Sequence, residues 1–434
     1  MNAPTEAADL VGRSIKESGQ LIRRWFERLT LAAERGDPTA YVFVSGNLIE
    51  VLQAFDMPVA LPEIYSLQTA VRHVAHDYIN TAEDYGYSAD ICGYVKADVG
   101  IQLRGGEHPL AKIPRPSLVI ASNFCNTYIK WAEIWERLYQ TPVFVLDLPS
   151  TREAYHFSEI GSPGFERDRR YVEHQVRELI GLCEQVTGKK FDIDKLREAL
   201  HHSNQMAASY RRMIELNRNV PAVLDAVTDG TAYLGVANAL RGTPEGSAFF
   251  AAAVEELEYK AAHGIGVLPE EKYRLIFVGV PCYPIYRRFR EMFTEHGGVF
   301  VNSTYMHFAS GGFNYNIEYD LEHPIESLAA GALYSGALSM DKMFFIDQPL
   351  AEMSREYRID GIVFHPIKSC RTVSTGLADA RQAVMRLADV MTLYVESDHM
   401  DRRVVSEAQL KNRVDAFFEG MATRKLQRAA SREG

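Results

Sequence analysis

Five cysteines stand at positions 92, 125, 183, 282 and 370 of a 434-residue chain, with 33 to 99 positions between neighbours. A disulfide scaffold is denser and usually even in number. No CxxC occurs, so a zinc ribbon or a ferredoxin-type ligand loop lacks its basic part. Any metal centre must therefore be assembled from distant parts of the fold. Thiolates are soft ligands, suited to an iron–sulfur cluster or to zinc with an open position. The competing reading is that each cysteine is a small buried filler. Cys183, in ELIGLCEQV, lies on an apolar helix face and reads as packing. Cys282, in VGVPCYPIY, follows a β-rich run and is the reserve ligand, although its flanking prolines favour a rigid, packed turn.

His365 and Lys368 share the HPIKSC segment with Cys370. There a proton donor or an anion-stabilising charge could act on a bound carbonyl; the alternative is a backbone-bonded histidine and a surface lysine. Other motifs fail. TGKK at 187–190 lacks the first glycine of a phosphate loop, has Lys190 where Ser or Thr is needed, and follows a helical stretch, so it reads as a helix end. His201-His202 reads as a solvated helix face and Ser310-Gly311-Gly312 as a turn. HExxH, GxSxG and GxGxxG are all missing.

The elements that must position these residues follow from hydrophobic texture. Residues 1–40 read as helical. Short β-rich runs then appear at 41–45 (YVFVS), 58–61 (PVAL), 118–122 (LVIAS) and 142–146 (PVFVL), each followed by enough chain for a helix. Runs without alternation, separated by helices, suit parallel strands covered on both faces. Helical stretches at 169–186, 193–219 and 251–262 fill the middle. A second set of β-rich runs lies at 274–278, 299–302, 361–365 and 392–396, with similar spacing. The predicted fold is α/β: two similar lobes, each a four-stranded parallel sheet flanked by helices, plus N-terminal and central helical segments. The expected division is 1–40, a helical segment; 41–165, the first lobe; 166–265, a helical connector; and 266–434, the second lobe. Cys125 and Cys370 then lie just past the third strand of each lobe, where open α/β sheets bind ligands. The two could face each other across an interlobe cleft, with Cys92 supplying a third sulfur.

Composition narrows the partners. With 47% hydrophobic and 24% charged residues the chain is ordinary globular material. A net charge of −10 argues against nucleic acid. No apolar run reaches the ~18 residues that cross a bilayer, and a cytoplasmic chain with no membrane partner is expected.

Longer segments carry a resemblance. SNFCN (122–126), GIVFHPIKSC (361–370), DICGYVK around Cys92, NLIEVLQAFDMPVALPE (47–63) and the stretch 396–419 resemble the 2-hydroxyacyl-CoA dehydratase and benzoyl-CoA reductase family. Size and local wording lie nearer its reductase branch. The resemblance implies a [4Fe–4S] cluster held by three cysteines, matching Cys92, Cys125 and Cys370, and a heterodimer with a homologous second large subunit around the acyl-CoA. It further implies ATPase subunits with their own iron–sulfur cluster, fed by ferredoxin, so that ATP is bound only by partners. Glu50 matches a family acid near the acyl site. The family commonly has Gly where this chain has Asp56, so the turn there is expected to differ. The implied activity is single-electron dearomatisation of benzoyl-CoA to a cyclohexadiene-carbonyl-CoA. The alternatives are a dehydratase subunit that eliminates water by radical chemistry, and a clusterless acyl-CoA-binding or structural subunit.

Overall fold

The computed structural model describes residues 10–44, 48–149, 161–344 and 346–433. Ser45, Asn47 and parts of the expected first two segments lie outside these. All eight β-rich runs contain strands. In the first lobe they are β1 (Ala40–Val42), β2 (Val59–Ala60), β5 (Leu118–Ser122) and β6 (Val143–Leu146). In the second they are β7 (Tyr273–Val278), β8 (Gly298–Ser303), β9 (Gly361–Phe364) and β10 (Met391–Tyr394). The sheets run β2-β1-β5-β6 and β8-β7-β9-β10, every pairing parallel. Numbered within its lobe, each sheet has the order 2-1-3-4. The lobes are therefore topological repeats.

Every residue of β5, β8 and β9 is buried, which explains their unbroken apolar runs: both faces are covered by helices. Edge strand β6 departs from this, with Val145 exposed. The sequence pattern missed the two-residue antiparallel pair β3 (Glu107–His108) and β4 (Ala111–Lys112), because two residues are too short to show a period.

The helix Arg13–Arg35 buries Leu21, Trp25, Phe26 and Leu29 against the first lobe and the central helices. The Trp25 indole N–H donates to Val59 O at 3.0 Å, pinning the helix to β2. Its first turn contains no acid. Glu256, from the helix Pro244–Ala262, instead accepts the N–H groups of Gly12 and Ser14 at 2.6 and 2.7 Å, satisfying donors that a helix start leaves unpaired. TGKK is indeed a helix end: Pro163–Thr187 stops at Gly188, whose φ of 69° is left-handed. Asp56 keeps a glycine-like conformation at φ 51°, which Asp tolerates better than most residues, and its carboxylate is held 2.6 Å from Lys195.

Candidate functional site: a cavity lined by three cysteines

Cys92, Cys125 and Cys370 each stand immediately before a helix, at the start of Gly93–Leu103, Asn126–Tyr139 and Arg371–Ser374. Cys125 follows β5, and the Asn123 side chain fixes that exit by donating to Leu148 O and accepting from the Leu148 N–H. Cys370 follows β9 through a turn in which Ser374 Oγ accepts the Ile367 N–H at 2.7 Å. The two lobes meet here, with Cys125 Sγ 3.5 Å from Thr372 Oγ1. Cys92 is drawn in by its neighbour: the Gly93 N–H donates to Ser369 Oγ at 3.2 Å, and the Ser369 N–H donates to Asp398 Oδ2 at 3.0 Å. Only glycine fits at 93, since a Cβ would lie 2.6 Å from Met400 Cβ.

All three thiols line one cavity of about 700 Å³, open solvent at its mouth included. Phe124, Trp131, Val280 and Phe308 give it apolar walls. Besides the thiols and the hydroxyls of Thr127, Ser369 and Thr372, its polar groups are Glu63, Tyr94, Tyr128, Tyr305 and His399. A second cavity of about 750 Å³ shares Phe308, Thr372 and Val373 with the first and continues past His307, Leu350 and Met353.

Burial pushes the Cys92 thiol well above its ordinary range, and the charge of Cys370, then Cys125, would push it further. Burial likewise raises Cys370 to about 11, again with a contribution from Cys125. The amides of Tyr94 and Val95, and of Thr372 and Val373, pull these values partway back, as helix starts do for anions. Cys92 thus feels the other two sulfurs and Cys370 feels Cys125, and a cation that replaced their protons would relieve that repulsion. Among the described residues, no three His, Cys, Asp or Glu side chains converge tightly enough for a single metal ion. A four-iron cluster makes a different demand, because each thiolate binds its own iron and the sulfurs stay apart.

Several buried polar atoms face the cavity without partners. Glu63 is 2% exposed, and neither carboxyl oxygen has a hydrogen-bond partner among the described residues; nor does the Tyr94 hydroxyl. Burial raises the Glu63 carboxyl to about 7, against weaker pulls downward from the Tyr128 phenol and the amides of Glu63 and Val44. His399 is 1% exposed and burial lowers its pKa, so the ring is neutral. Its Nε2 lies 4.0 Å from Cys92 Sγ.

The remaining sequence candidates lie elsewhere. His365 is fully buried, with Nδ1 2.6 Å from Val280 O and Nε2 2.6 Å from Ser397 Oγ. It does not line the cavity, and burial lowers its pKa to about 4. Both ring nitrogens are occupied within the core, which is the backbone-bonded arrangement rather than an open proton donor. Lys368 is exposed and pairs with Glu396 at 3.2 Å. Glu50 is fully buried in an ion pair with Arg241 at 2.7 Å and accepts from Ser203 Oγ at 2.8 Å; it too lies off the cavity. Cys183 and Cys282 are completely buried, and burial is the main cause that raises each to about 12. Cys282 Sγ contacts Asp398 O and Ser397 Oγ instead of the cavity. Sequence reading passed over Glu63 and His399, although both lie inside the quoted segments. The available signal was position: Glu63 begins a helix just past β2, at a strand's carboxyl end.

Two parallel-sheet lobes of one strand order, closing on a cavity lined by cysteines from three separate segments, define a two-lobed α/β protein. The family model for 2-hydroxyglutaryl-CoA dehydratase, D-component, matches residues 49–421, and the chain belongs to that family. It is 31% identical over 429 residues to a benzoyl-CoA reductase subunit of Thauera aromatica, covering 96% of this chain and 97% of the relative. It is 25% identical to the (R)-phenyllactyl-CoA dehydratase alpha subunit of Clostridium sporogenes, over 91% of this chain and 92% of the relative. It is also 25% identical to the (R)-2-hydroxyisocaproyl-CoA dehydratase alpha subunit of Clostridioides difficile, over 87% and 88%. These relatives are subunits of larger enzymes by name. Among the described residues no helix is long and apolar enough to cross a membrane.

Proposed function

We propose that the chain is the cluster-bearing catalytic subunit of an ATP-dependent benzoyl-CoA reductase, which dearomatises benzoyl-CoA by single-electron steps. The observation that carries this is the convergence of Cys92, Cys125 and Cys370 on one apolar cavity, together with the similarity to a benzoyl-CoA reductase subunit along nearly the whole chain. The three thiols would hold a [4Fe–4S] cluster, which supplies electrons at low potential when bound. The apolar walls lower the local dielectric, so hydrogen-bond donors inside act more strongly on a thioester oxygen as it gains charge. The second cavity borders the first across Phe308, Thr372 and Val373, and in this reading it takes the thioester arm. In this reading a homologous large subunit closes the site, and separate ATPase subunits with their own cluster, reduced by ferredoxin, deliver the electrons.

A dehydratase subunit is the second reading, favoured by the matching family model and by the two relatives at 25% identity. Iron and acid-labile sulfide in anoxically purified chain, alone and with its co-expressed partner, test the shared part. About four of each per chain, lost on Cys125→Ala or Cys370→Ala, is the expected result. Iron-free, well-folded, partner-bound protein overturns it. Assays of the complex then separate the readings: benzoyl-CoA is reduced with reductant consumed in step, whereas a hydroxyacyl-CoA loses water without net reductant.

A further inference from the structure

Glu63 has no structural task that accounts for its position. It is the second residue of the helix Pro62–Val71, which starts just past the carboxyl end of β2. An acid in a first helical turn ordinarily complements the helix dipole from the solvent side, ionised and hydrated. Glu63 is instead 2% exposed on the wall of the cysteine cavity. Neither oxygen makes a full hydrogen bond to a described residue; the Tyr128 phenol and the amides of Glu63 and Val44 pull on it more weakly than burial does, and no Lys or Arg among the described residues lines the cavity with it. A buried, unpaired carboxylate is among the most costly arrangements in a protein, and it is relieved when the group keeps its proton.

We propose that Glu63 is the proton-holding group of this cavity and delivers its proton to the bound acyl-CoA. The inference rests on the acyl-CoA reading above. An aromatic thioester that has taken up one electron from a low-potential donor would carry negative charge shared between its carbonyl oxygen and the ring. The Glu63 O–H bond then breaks as a C–H bond forms on the ring, leaving a carboxylate that water entering at the cavity mouth reprotonates. The chemistry of its surroundings agrees. The other titratable groups on the cavity are the three thiols, the phenols of Tyr94, Tyr128 and Tyr305, and His399. Burial holds the phenols protonated and the histidine neutral. Glu63, held at about 7, is the group among them that both keeps and releases a proton near neutrality, as an efficient general acid must.

Infrared spectroscopy of the anoxic complex tests the first half without any assay. A protonated-carboxyl band at pH 6 should fade with a midpoint near pH 7, and the wild-type minus Glu63→Gln difference should contain it. The difference is needed because burial also raises Asp98 and Asp229, each to about 6. Glu63→Asp keeps an acid on a shorter arm; it should shift the band rather than remove it, and serves if the Gln variant does not fold. In turnover, Glu63→Gln should lower kcat ~100-fold, with KM and iron content unchanged, and Glu63→Asp should restore part of the loss. A difference spectrum without the band, or a kcat within threefold of wild type, overturns the proposal. If the wild-type complex turns over neither benzoyl-CoA nor a hydroxyacyl-CoA, the acyl-CoA reading fails and the delivery step with it. The band still decides whether Glu63 holds the proton.

Discussion

Cys92 Sγ lies 4.0 Å from the Nε2 of His399, although 307 positions of chain separate them. The histidine is neutral because burial lowers its pKa, and Asp398 Oδ1 lies 3.6 Å from its other nitrogen, Nδ1. That separation is too long for a hydrogen bond, so nothing among the described residues holds the proton on Nδ1; in the Nε2–H tautomer the ring donates toward the Cys92 sulfur. Hydrogen bonds to cluster sulfurs raise reduction potential. His399→Ala is expected to retain iron but shift the midpoint potential downward, as read by a redox titration monitored by electron paramagnetic resonance. An unchanged potential would remove His399 from any role at the sulfur.

Gly93 sets how closely the Cys92 helix approaches the second lobe. A Cβ there meets Met400 Cβ at 2.6 Å and Asp398 Oδ1 at 3.3 Å. Gly93→Ala must push the helix away from the turn that Asp398 organises through the N–H groups of Ser369, Met400 and Asp401. The expected cost is about 1–3 kcal/mol in a urea titration, as for overpacked sites. Iron content should fall to less than half that of wild type, because Cys92 is carried out of line with the other two thiols.

Glu50 and Arg241 form an ion pair with side chains 0% and 2% exposed. Removing one partner strands a buried charge, at a cost of about 3–5 kcal/mol. Glu50→Gln should therefore lower the urea midpoint strongly. The double replacement Glu50→Leu with Arg241→Met should recover most of that loss. If Glu50→Gln instead leaves stability unchanged and abolishes turnover, the pair is not structural and the acid belongs to the chemistry.

Acid stability should depend on Glu83. Its carboxyl is held at about 2, first by Arg403 and also by Lys96, against the opposing effect of burial. Lys96 Nζ lies 2.9 Å away on the Cys92 helix. A folded-state pKa below the unfolded value stabilises the fold fully above about pH 4.5, and that contribution disappears as pH falls toward 2. Allowing for screening at the half-exposed Arg403, it amounts to about 1–3 kcal/mol. Urea midpoints from pH 7 to 3 should fall more steeply for wild type than for Glu83→Gln. Parallel slopes would show that the network contributes nothing.

Strand placement was legible in the sequence because both sheets are covered on two faces. A run such as residues 118–121 is apolar throughout whatever its neighbours are, and the local rule for parallel strands applies without knowledge of packing. Cys125 and Cys370 could be placed for the same reason, since each follows such a run within a few residues. The helix end at Gly188 was equally local.

Tertiary structure decided the rest. His365 and Cys370 lie five residues apart in sequence, yet the chain turns between them. One is sealed against Val280 and Ser397 while the other opens on the cavity. Glu50, singled out by the resemblance, and Glu63, passed over, are both acids of the first lobe, but it is Glu50 that finds a buried arginine and Glu63 that faces the thiol cavity. Burial and partner identity are properties of contacts between segments far apart in the chain, and a carboxyl or an imidazole takes its chemistry from those contacts. The sequence determined which residues could act; desolvation and neighbouring charge, which exist only once the lobes close, decided which of them face the cavity and in what protonation state.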